Sequence, residues 1–353
     1  MKLLIIGCGS IGRRHARNAQ KLGVEIVLCD TNEARMRDLG KEVCASKCFT
    51  DYEEAITHSG IHAAIVATPS NFHISPARAL ISAGVHVLME KPLSNELSEA
   101  VLLGEEVRQS GLVFMMAHTY RFRSEWLQIK KILNSQPLGK IYSAEIMGGW
   151  YLPDWHIFEQ YQNEYAAQKK LGGGVLLTNL SHIFDVVAWL FGDIDRITGV
   201  QMRLSDLDLD VEDSVSCLLK TKSGIAVTLI EDFLCRCPRR SLRVNTEHGY
   251  LEVDFNRKIY SIWDARDKRF SPLDMPESNL PKNTFKILED GVAYNLSPEV
   301  SELKYSGNDA YLAELEYFLK QVALGLPLSD LGIDAGIQVL KALNSAQLQD
   351  WTH

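Results

Sequence analysis

The order of apolar and polar positions in the first third of the chain predicts a parallel sheet covered by helices. Short apolar runs alternate with amphipathic stretches of helical period, which is the pattern of a doubly wound α/β domain. The predicted strands are residues 3–6, 25–29, 63–67, 85–89 and 113–117, and the predicted helices are residues 11–21, 33–39, 73–83 and 96–109. Because ligands of such domains bind beyond the carboxyl ends of the strands, we expect functional residues in the loops that follow them.

After residue 120 the pattern predicts a second domain with a large, mostly antiparallel open sheet. Its predicted strands are residues 141–146, 197–203, 214–220, 224–234, 241–245 and 250–255, and its predicted helices are residues 126–133, 176–190, 310–324 and 334–349. Residues 264–306 contain four prolines and many polar side chains, so we expect a long surface excursion there. The predicted fold is α/β, with a Rossmann domain at residues 1–119 and an α+β substrate-binding and oligomerisation domain at residues 120–353.

Composition and charge narrow the classes of partner. The 353 residues favour two domains, and 46% hydrophobic with 23% charged residues is typical of globular proteins. A formal net charge of −8 without a basic block argues against nucleic acid. The apolar start is too short for a signal peptide, and polar residues interrupt the apolar window at 175–191, so we expect no membrane span. Seven cysteines without metal-ligand spacing predict reduced thiols, a cytoplasmic location and no metal site.

A glycine-rich turn follows the first predicted strand and opens the first predicted helix. It reads Gly7-Cys8-Gly9-Ser10-Ile11-Gly12, the G-x-G-x-x-G pattern of dinucleotide-binding folds. Gly7 would permit the tight turn, Gly9 the close approach of a pyrophosphate, and Gly12 the close packing of helix on strand. The helix N-terminus would face the phosphate charge. We therefore predict that all six residues bind a nicotinamide dinucleotide.

Asp30, at the end of the second predicted strand, bears on which dinucleotide is bound. A carboxylate there would accept hydrogen bonds from the ribose hydroxyls and would repel the 2′-phosphate of NADP, which favours NAD. NADP remains an alternative because Arg35 or Arg37 could reach a phosphate, and Asp30 could merely cap the next helix.

Two further loops lie at strand ends, where a nicotinamide would bind. The cofactor-contacting residues predicted in them are Thr68, Pro69, Asn71, His73, Glu90 and Lys91. The ammonium of Lys91 would hydrogen-bond a substrate hydroxyl and stabilise an alkoxide that develops during hydride transfer. The alternatives are that Lys91 is a solvated surface lysine and that His73 only starts a helix.

These motifs resemble the glucose-fructose oxidoreductase / inositol dehydrogenase / MocA (Gfo/Idh/MocA) family over nearly the whole chain. The resemblance is carried by Gly7–Gly12, Asp30, Thr68-Pro69, Glu90-Lys91-Pro92 and the run Gly172-Gly173-Gly174 followed by His182. It implies that Lys91 is a catalytic residue that also contacts substrate. It also implies that His182 contacts substrate and acts as acid/base for a sugar hydroxyl, a role that suits a histidine of near-neutral pKa.

The helix that carries His182 departs from this family at one position. The family has an aspartate four residues before the histidine, and this chain has Thr178. A spacing of four places the two side chains on one helix face, so the Thr178 hydroxyl could orient the ring or the substrate without acting as a carboxylate base. Asp185 could instead orient His182. Alternatively, His182 is an interior histidine and Asp185 its structural partner.

The resemblance also places Arg121 and Arg123 at the substrate. Guanidinium groups there would suit a carboxylate or a phosphate. Trp155 lies in an aromatic and polar segment, residues 150–156, whose composition suits stacking on a sugar ring, although packing or a dimer surface is an alternative. The segment resembles family members found in surface-polysaccharide and sialic-acid-like sugar pathways.

The combined prediction is an NAD(P)-dependent oxidoreductase that acts on a CH–OH group of a sugar, sugar acid or nucleotide sugar. A non-catalytic NAD-binding sensor and an NAD-dependent glycosidase with retained cofactor are the alternatives. An exposed sheet face of this size predicts a homodimer or homotetramer formed through the C-terminal sheet.

Overall fold

The computed structural model describes residues 1–155, 160–273, 286–288, 291–293 and 308–351. The first sheet has six parallel strands in the order β3-β2-β1-β4-β5-β6. Its strands are β1 (Lys2–Ile6), β2 (Glu25–Cys29), β3 (Lys47–Phe49), β4 (Ala63–Val66), β5 (His86–Met89) and β6 (Phe114–Met116). The helices between them are α1 (Ser10–Lys21), α2 (Glu33–Val43), α3 (Tyr52–Ser59), α4 (Ile74–Ser82) and α5 (Leu97–Ser110). This order confirms the predicted Rossmann fold.

The sequence pattern missed one strand and one helix of this domain. Strand β3 is a three-residue edge strand with two exposed positions, so it lacks the apolar run by which the other strands were found. Helix α3 has eight residues, and its start is capped by the Asp51 side chain, which accepts a hydrogen bond from the Glu54 N–H. Both segments are too short to show a clear period.

The second sheet has nine strands and confirms the predicted mostly antiparallel arrangement. The remaining helices are α6 (Ser124–Ser135), α7 (Ser181–Phe191), α8 (Asn308–Leu324) and α9 (Ile333–Ser345). The strands are β7 (Ile141–Gly149), β8 (Ile194–Met202), β9 (Ser214–Thr221), β10 (Ala226–Asp232), β11 (Arg239–Thr246), β12 (Gly249–Asp254), β13 (Ile259–Asp264), β14 (Arg269–Pro272), β15 (Lys286–Leu288), β16 (Gly291–Ala293) and β17 (Gln347–Asp350). Their order in the large sheet is β14-β13-β12-β11-β7-β10-β9-β8-β17, while β15 and β16 pair separately. Only β10 with β7 and β17 with β8 are parallel among the described pairs of the large sheet.

Two predicted boundaries are wrong. The C-terminal helix ends at Ser345, where Ala346 turns to extended backbone and β17 pairs with β8. The predicted surface excursion begins with a strand, β14, while residues 274–285, 289–290 and 294–307 lie outside the described residues. In both places an edge strand forms from a segment that carries no clear strand period.

The predicted single helix at 176–190 contains a π-helical turn, Leu176–Leu180, before α7. The apolar helical stretch Lys169–Phe191 is long enough to cross a membrane, and no other such stretch occurs in the described part of the chain. However, 67% of its most apolar window is buried inside the protein, as in a core helix. Helix α7 packs on β8 and on α9.

The C-terminal helices return to the first domain. Helix α8 packs against α1 and against the turn Thr119–Phe122, and α9 packs against α5 and β6. One continuous hydrophobic core therefore includes residues from both sheets. The division at residues 119 and 120 stays a prediction, because this packing joins the two halves.

Candidate active site

Three glycines shape the turn between β1 and α1, each for a different steric reason. Gly7 has a φ of +98°, and a Cβ there would lie 2.5 Å from the Ala67 carbonyl oxygen. A Cβ on Gly12 would lie 1.8 Å from the Gly7 carbonyl oxygen, so helix and turn touch. A Cβ on Gly9 would meet nothing within 4 Å, which leaves open space for a ligand.

The residues around this turn fit a nicotinamide dinucleotide. Helix α1 begins at Ser10 without a side-chain cap, so its first N–H groups are not used by a capping side chain. The Asp30 carboxylate is held in place by the N–H groups of Cys8 (2.6 Å) and Asn32 (2.7 Å). The Cys8 side chain is buried, and Ile11 is partly exposed beside it. An open cradle, a helix N-terminus and a fixed carboxylate are the features that dinucleotide binding requires.

Arg35 and Arg37, which could have bound the 2′-phosphate of NADP, both interact with acidic residues. Arg37 pairs with Glu33, and the Arg35 guanidinium lies 3.8 Å from the Asp30 carboxylate. Asp30 accepts hydrogen bonds from the N–H groups of Asn32 and Cys8, while the side chain that caps α2 is that of Asn32. The contact of Asp30 with the ribose stays a prediction.

The loop after β4 is tied to the loop after β5 by His73. The two ring nitrogens of this buried histidine lie 2.8 Å from the carbonyl oxygens of Pro92 and Thr68. Burial lowers the pKa of His73. Pro69 and Asn71 are exposed at the same strand end, so His73 positions the loop that presents them.

Lys91 follows β5 and is held against the helix that carries His182. Its Nζ donates a hydrogen bond to the Thr178 carbonyl oxygen at 2.9 Å. Burial lowers the pKa of Lys91 to about 8, against the opposing charge of Glu90. Lys91 is therefore not the solvated surface lysine of the alternative interpretation.

Glu90 links this lysine to the dinucleotide-binding helix. Its Oε1 lies 2.8 Å from Nε2 of His15, a fully buried residue of α1. Burial opposes ionisation of Glu90, but the hydrogen bond and charge of His15, with Lys91 and His73, lower its pKa. The sequence pattern does not predict a role for His15, because its partner lies 75 residues away.

His182 is positioned by an aromatic ring. It stacks on Tyr120 with ring centroids 4.9 Å apart and planes 8° apart. Its Nδ1 is buried without a hydrogen-bond partner in the described ranges. Burial, followed by the positive charge of Lys91, lowers the pKa of His182 well below its usual value. The ring is therefore neutral at pH 7.

Two expectations for the His182 helix are wrong. The Thr178 hydroxyl donates to the Gly174 carbonyl oxygen at 2.6 Å, so Thr178 contributes its main-chain carbonyl, which holds Lys91, and not a hydroxyl that orients His182. Asp185 does not orient His182 either. Its carboxylate accepts two hydrogen bonds from Arg121, at 2.6 and 2.9 Å, and lies 3.4 Å from Nε2 of His118.

The two arginines predicted to contact substrate differ. Arg121 is committed to the bidentate pair with buried Asp185 and also donates to the Asp330 carbonyl oxygen, which argues against a substrate role. The Arg123 guanidinium instead lies 4.3 Å from the Tyr120 ring centroid. Trp155 packs on Phe233, with ring centroids 5.9 Å apart, and its contact with substrate stays a prediction.

The sequence pattern did not predict the ion pair between Glu231 and Arg240 on the second sheet. Gly148 pairs in register with Glu231 on β10 and with Arg240 on β11, and a Cβ on Gly148 would lie 2.0 Å from Glu231 Oε1. Glu231 and Arg240 meet over this glycine at 2.9 Å, and Asn179 Nδ2 donates to Glu231. Burial raises the pKa of Glu231. A glycine inside a predicted strand is the signal that could have indicated this close contact.

Within the described ranges, no group of three or more histidine, cysteine or acidic side chains could hold a metal ion.

Comparisons with known proteins agree with this geometry. Residues 1–118 match the oxidoreductase family with an NAD-binding Rossmann fold, and residues 126–252 match the GFO/IDH/MocA C-terminal domain. A myo-inositol 2-dehydrogenase of Thermotoga maritima is 24% identical over 96% of this chain and 93% of its own length.

Solved structures share the fold over almost the whole chain. A levoglucosan dehydrogenase in complex with NADH superposes with a TM-score of 0.78, at 18% identity over 98% of this chain and 95% of that one. A UDP-N-acetylglucosamine 3-dehydrogenase of Acidithiobacillus ferrooxidans gives 0.74, at 20% identity over 98% and 96%. Because the chain carries the dinucleotide cradle and family models match its residues 1–118 and 126–252, the chain belongs to the Gfo/Idh/MocA family of nicotinamide-dependent oxidoreductases.

Proposed function

We propose that the protein transfers a hydride between NAD and a carbinol or carbonyl carbon of a sugar, sugar acid or nucleotide sugar. The observation that carries this proposal is the hydrogen bond from Lys91 Nζ to the Thr178 carbonyl, one turn before His182. It brings a cationic donor and a neutral histidine together at the carboxyl end of the first sheet, where ligands of this fold bind.

In the oxidative direction His182 accepts the hydroxyl proton, because its neutral form dominates at pH 7. At pH 7, which is below the Lys91 pKa of about 8, Lys91 is mainly charged. It stabilises the alkoxide that forms as the proton leaves. Bound NAD supplies the acceptor for the hydride when the carbinol C–H bond breaks. In the reductive direction, Lys91 polarises the carbonyl oxygen and protonated His182 returns the proton.

The two side chains are held by different means, which keeps their roles separate. The Thr178 carbonyl fixes Lys91 Nζ, and the Tyr120 ring fixes the plane of His182. Neither contact supplies a carboxylate to His182. Among the described residues no partner binds His182 Nδ1, so with Thr178 in place of the family aspartate His182 acts without a carboxylate relay.

The names of related proteins support a polyol or sugar as substrate, since they include an inositol, a levoglucosan and a UDP-N-acetylglucosamine dehydrogenase. A role in surface-polysaccharide or sialic-acid-like sugar metabolism is the finer proposal. It is supported by the aromatic residues Trp150, Tyr151 and Trp155, which precede the glycine run at the substrate end.

We further propose a cytoplasmic homodimer or homotetramer formed through the outer face of the second sheet. That face carries apolar side chains between polar ones, and Leu218 on β9 is 50% exposed. In register across it lie Thr198, Leu218, Thr228 and Glu145. A mixed face of this kind is suited to pairing with a second copy.

The test is the absorbance of reduced nicotinamide when the protein and NAD are screened against sugars, polyols, uronic acids and nucleotide sugars. We expect turnover with one of these classes, and we expect His182→Ala to abolish it. Tight NAD binding without turnover across the panel would contradict the proposal and favour a sensor.

A further inference from the structure

Arg123 carries a positive charge that no acidic side chain of the described residues neutralises. Among the described residues it forms no ion pair, and its recorded contact is the face of the Tyr120 ring at 4.3 Å. Its Nε is buried without a hydrogen-bond partner. A buried donor left unpaired costs free energy, which a ligand acceptor would recover.

Two other guanidinium groups near the site are paired with carboxylates. Arg121 is paired with Asp185, and Arg240 is paired with Glu231. Glu90 lies directly beside Lys91 in sequence and its charge raises the pKa of that lysine. Arg123 differs from Arg121 and Arg240, because no described carboxylate pairs with it.

Arg123 lies close to the reacting groups. Its guanidinium and the His182 ring each lie within 5 Å of the Tyr120 ring centroid. The charge of Arg123 is also among the causes that lower the pKa of His182. A sugar that presents a hydroxyl to His182 would present a neighbouring anionic substituent to Arg123.

Resting on the proposed function, we propose that Arg123 determines specificity by selecting a substrate that carries an oxyanion, either a carboxylate or a phosphate. A guanidinium binds either group with paired hydrogen bonds, which a neutral hydroxyl cannot replace. Arg121, although two residues away, does not share this role because Asp185 occupies it.

The test compares substrates that carry an oxyanion with related compounds that do not. Hexuronates are paired with their uncharged methyl esters, and sugar phosphates and UDP-sugars with the corresponding free sugars. For the wild-type protein we expect kcat/KM to be roughly 10- to 100-fold higher for the charged member. Arg123→Met should remove that preference mainly through a higher KM for the charged member, so that the ratio of kcat/KM between the two members falls to about 1. Arg123→Lys should restore part of it, because a charge remains without the fork geometry.

Arg257→Met is the matched control, since it removes an arginine that is 71% exposed in the side chain. It should leave the preference intact. The same pairs are titrated calorimetrically into the NAD complex, so the comparison does not depend on turnover. Preference for uronates over UDP-sugars would identify the carboxylate as the source of the oxyanion, and the reverse would identify the phosphate.

A wild-type protein that binds both members equally, or an Arg123→Met variant that loses both equally while remaining folded by thermal unfolding, would overturn the role of Arg123. Absence of turnover with every compound would contradict the proposed function instead. The binding comparison would then still decide whether Arg123 selects an anion.

Discussion

The cofactor end and the substrate end of the site are built in opposite ways. The dinucleotide cradle comes from one short stretch, in which Gly7, Gly9 and Gly12 act through missing side chains and Asp30 through a carboxylate held by main-chain N–H groups. The substrate end joins side chains from separate elements through long-range contacts such as Lys91 with Thr178 and Arg121 with Asp185. Local backbone geometry fixes the first end, and the partners of buried charges fix the second.

The largest expected effect is at Lys91. Lys91→Met should lower kcat/KM by about 10²–10³-fold, because the alkoxide loses its cationic donor. The free energy of unfolding at pH 7 should rise by roughly 1–3 kcal/mol, as the folded state no longer buries a charge. Steady-state kinetics and urea denaturation measure both, with Lys222→Met, an exposed lysine, as control. A less stable Lys91→Met protein would contradict the account.

The pH dependence of stability and activity in the wild-type protein follows from the titration of Lys91. The pKa of Lys91 is about 8 in the folded protein against 10.5 ordinarily, so charged Lys91 opposes folding below pH 8. This contribution should make the protein more stable as pH rises from 8 to 10.5. Oxidation should slow above pH 8 as Lys91 loses its charge. Activity that rises through pH 8 would make Lys91 the base instead.

Adding a methyl group to the glycine turn should affect the dinucleotide cradle without affecting the substrate end. Gly12→Ala should destabilise the protein by about 1–3 kcal/mol, since its Cβ would lie 1.8 Å from the Gly7 carbonyl oxygen. Gly9→Ala should leave thermal unfolding unchanged and weaken NAD binding by roughly 10-fold or more, because its Cβ enters only the open space of the cradle. Calorimetric titration with NAD distinguishes the two, and equal NAD affinity in wild type and Gly9→Ala would refute the assignment.

Substitution of Arg121 and substitution of Arg123 should affect the free energy of unfolding differently. Arg121→Met should lower the free energy of unfolding by about 3–5 kcal/mol, because Asp185 would stay buried without its partner. Arg123→Met should change it by less than about 1 kcal/mol, because no described carboxylate pairs with Arg123. Urea denaturation of both variants checks this. Equal losses of stability would show that the distinction between structural and substrate arginine is wrong.

The sequence was sufficient for the parts of the molecule whose cause is local. The strands β1, β2, β4, β5 and β6 and the glycine turn follow from apolar runs and from backbone positions that exclude a Cβ. Edge strands β3 and β17 have no apolar period, since pairing along one edge is enough to form them. Their prediction needs the neighbouring strand.

The roles of individual charges at the substrate end required the structure. The four-residue spacing of Thr178 and His182 suggested one helix face, but Thr178 lies inside a π-helical turn and its hydroxyl bonds to its own helix. Asp185 could have served His182 or Arg121, and only the packing of the turn Thr119–Phe122 on α7 decides between them. Sequence spacing gives candidates for such pairs, while tertiary packing selects among them.

The measurement that tests the central claim most directly is single-turnover formation of reduced nicotinamide by His182→Gln at saturating NAD and substrate, together with the Kd for NAD. The account predicts a rate about 10²–10⁴-fold below that of the wild type, with the Kd for NAD unchanged within about 2-fold. A wild-type rate in this variant would contradict the assignment of His182 as acid/base. A parallel loss of NAD affinity would contradict the separation of the two ends of the site.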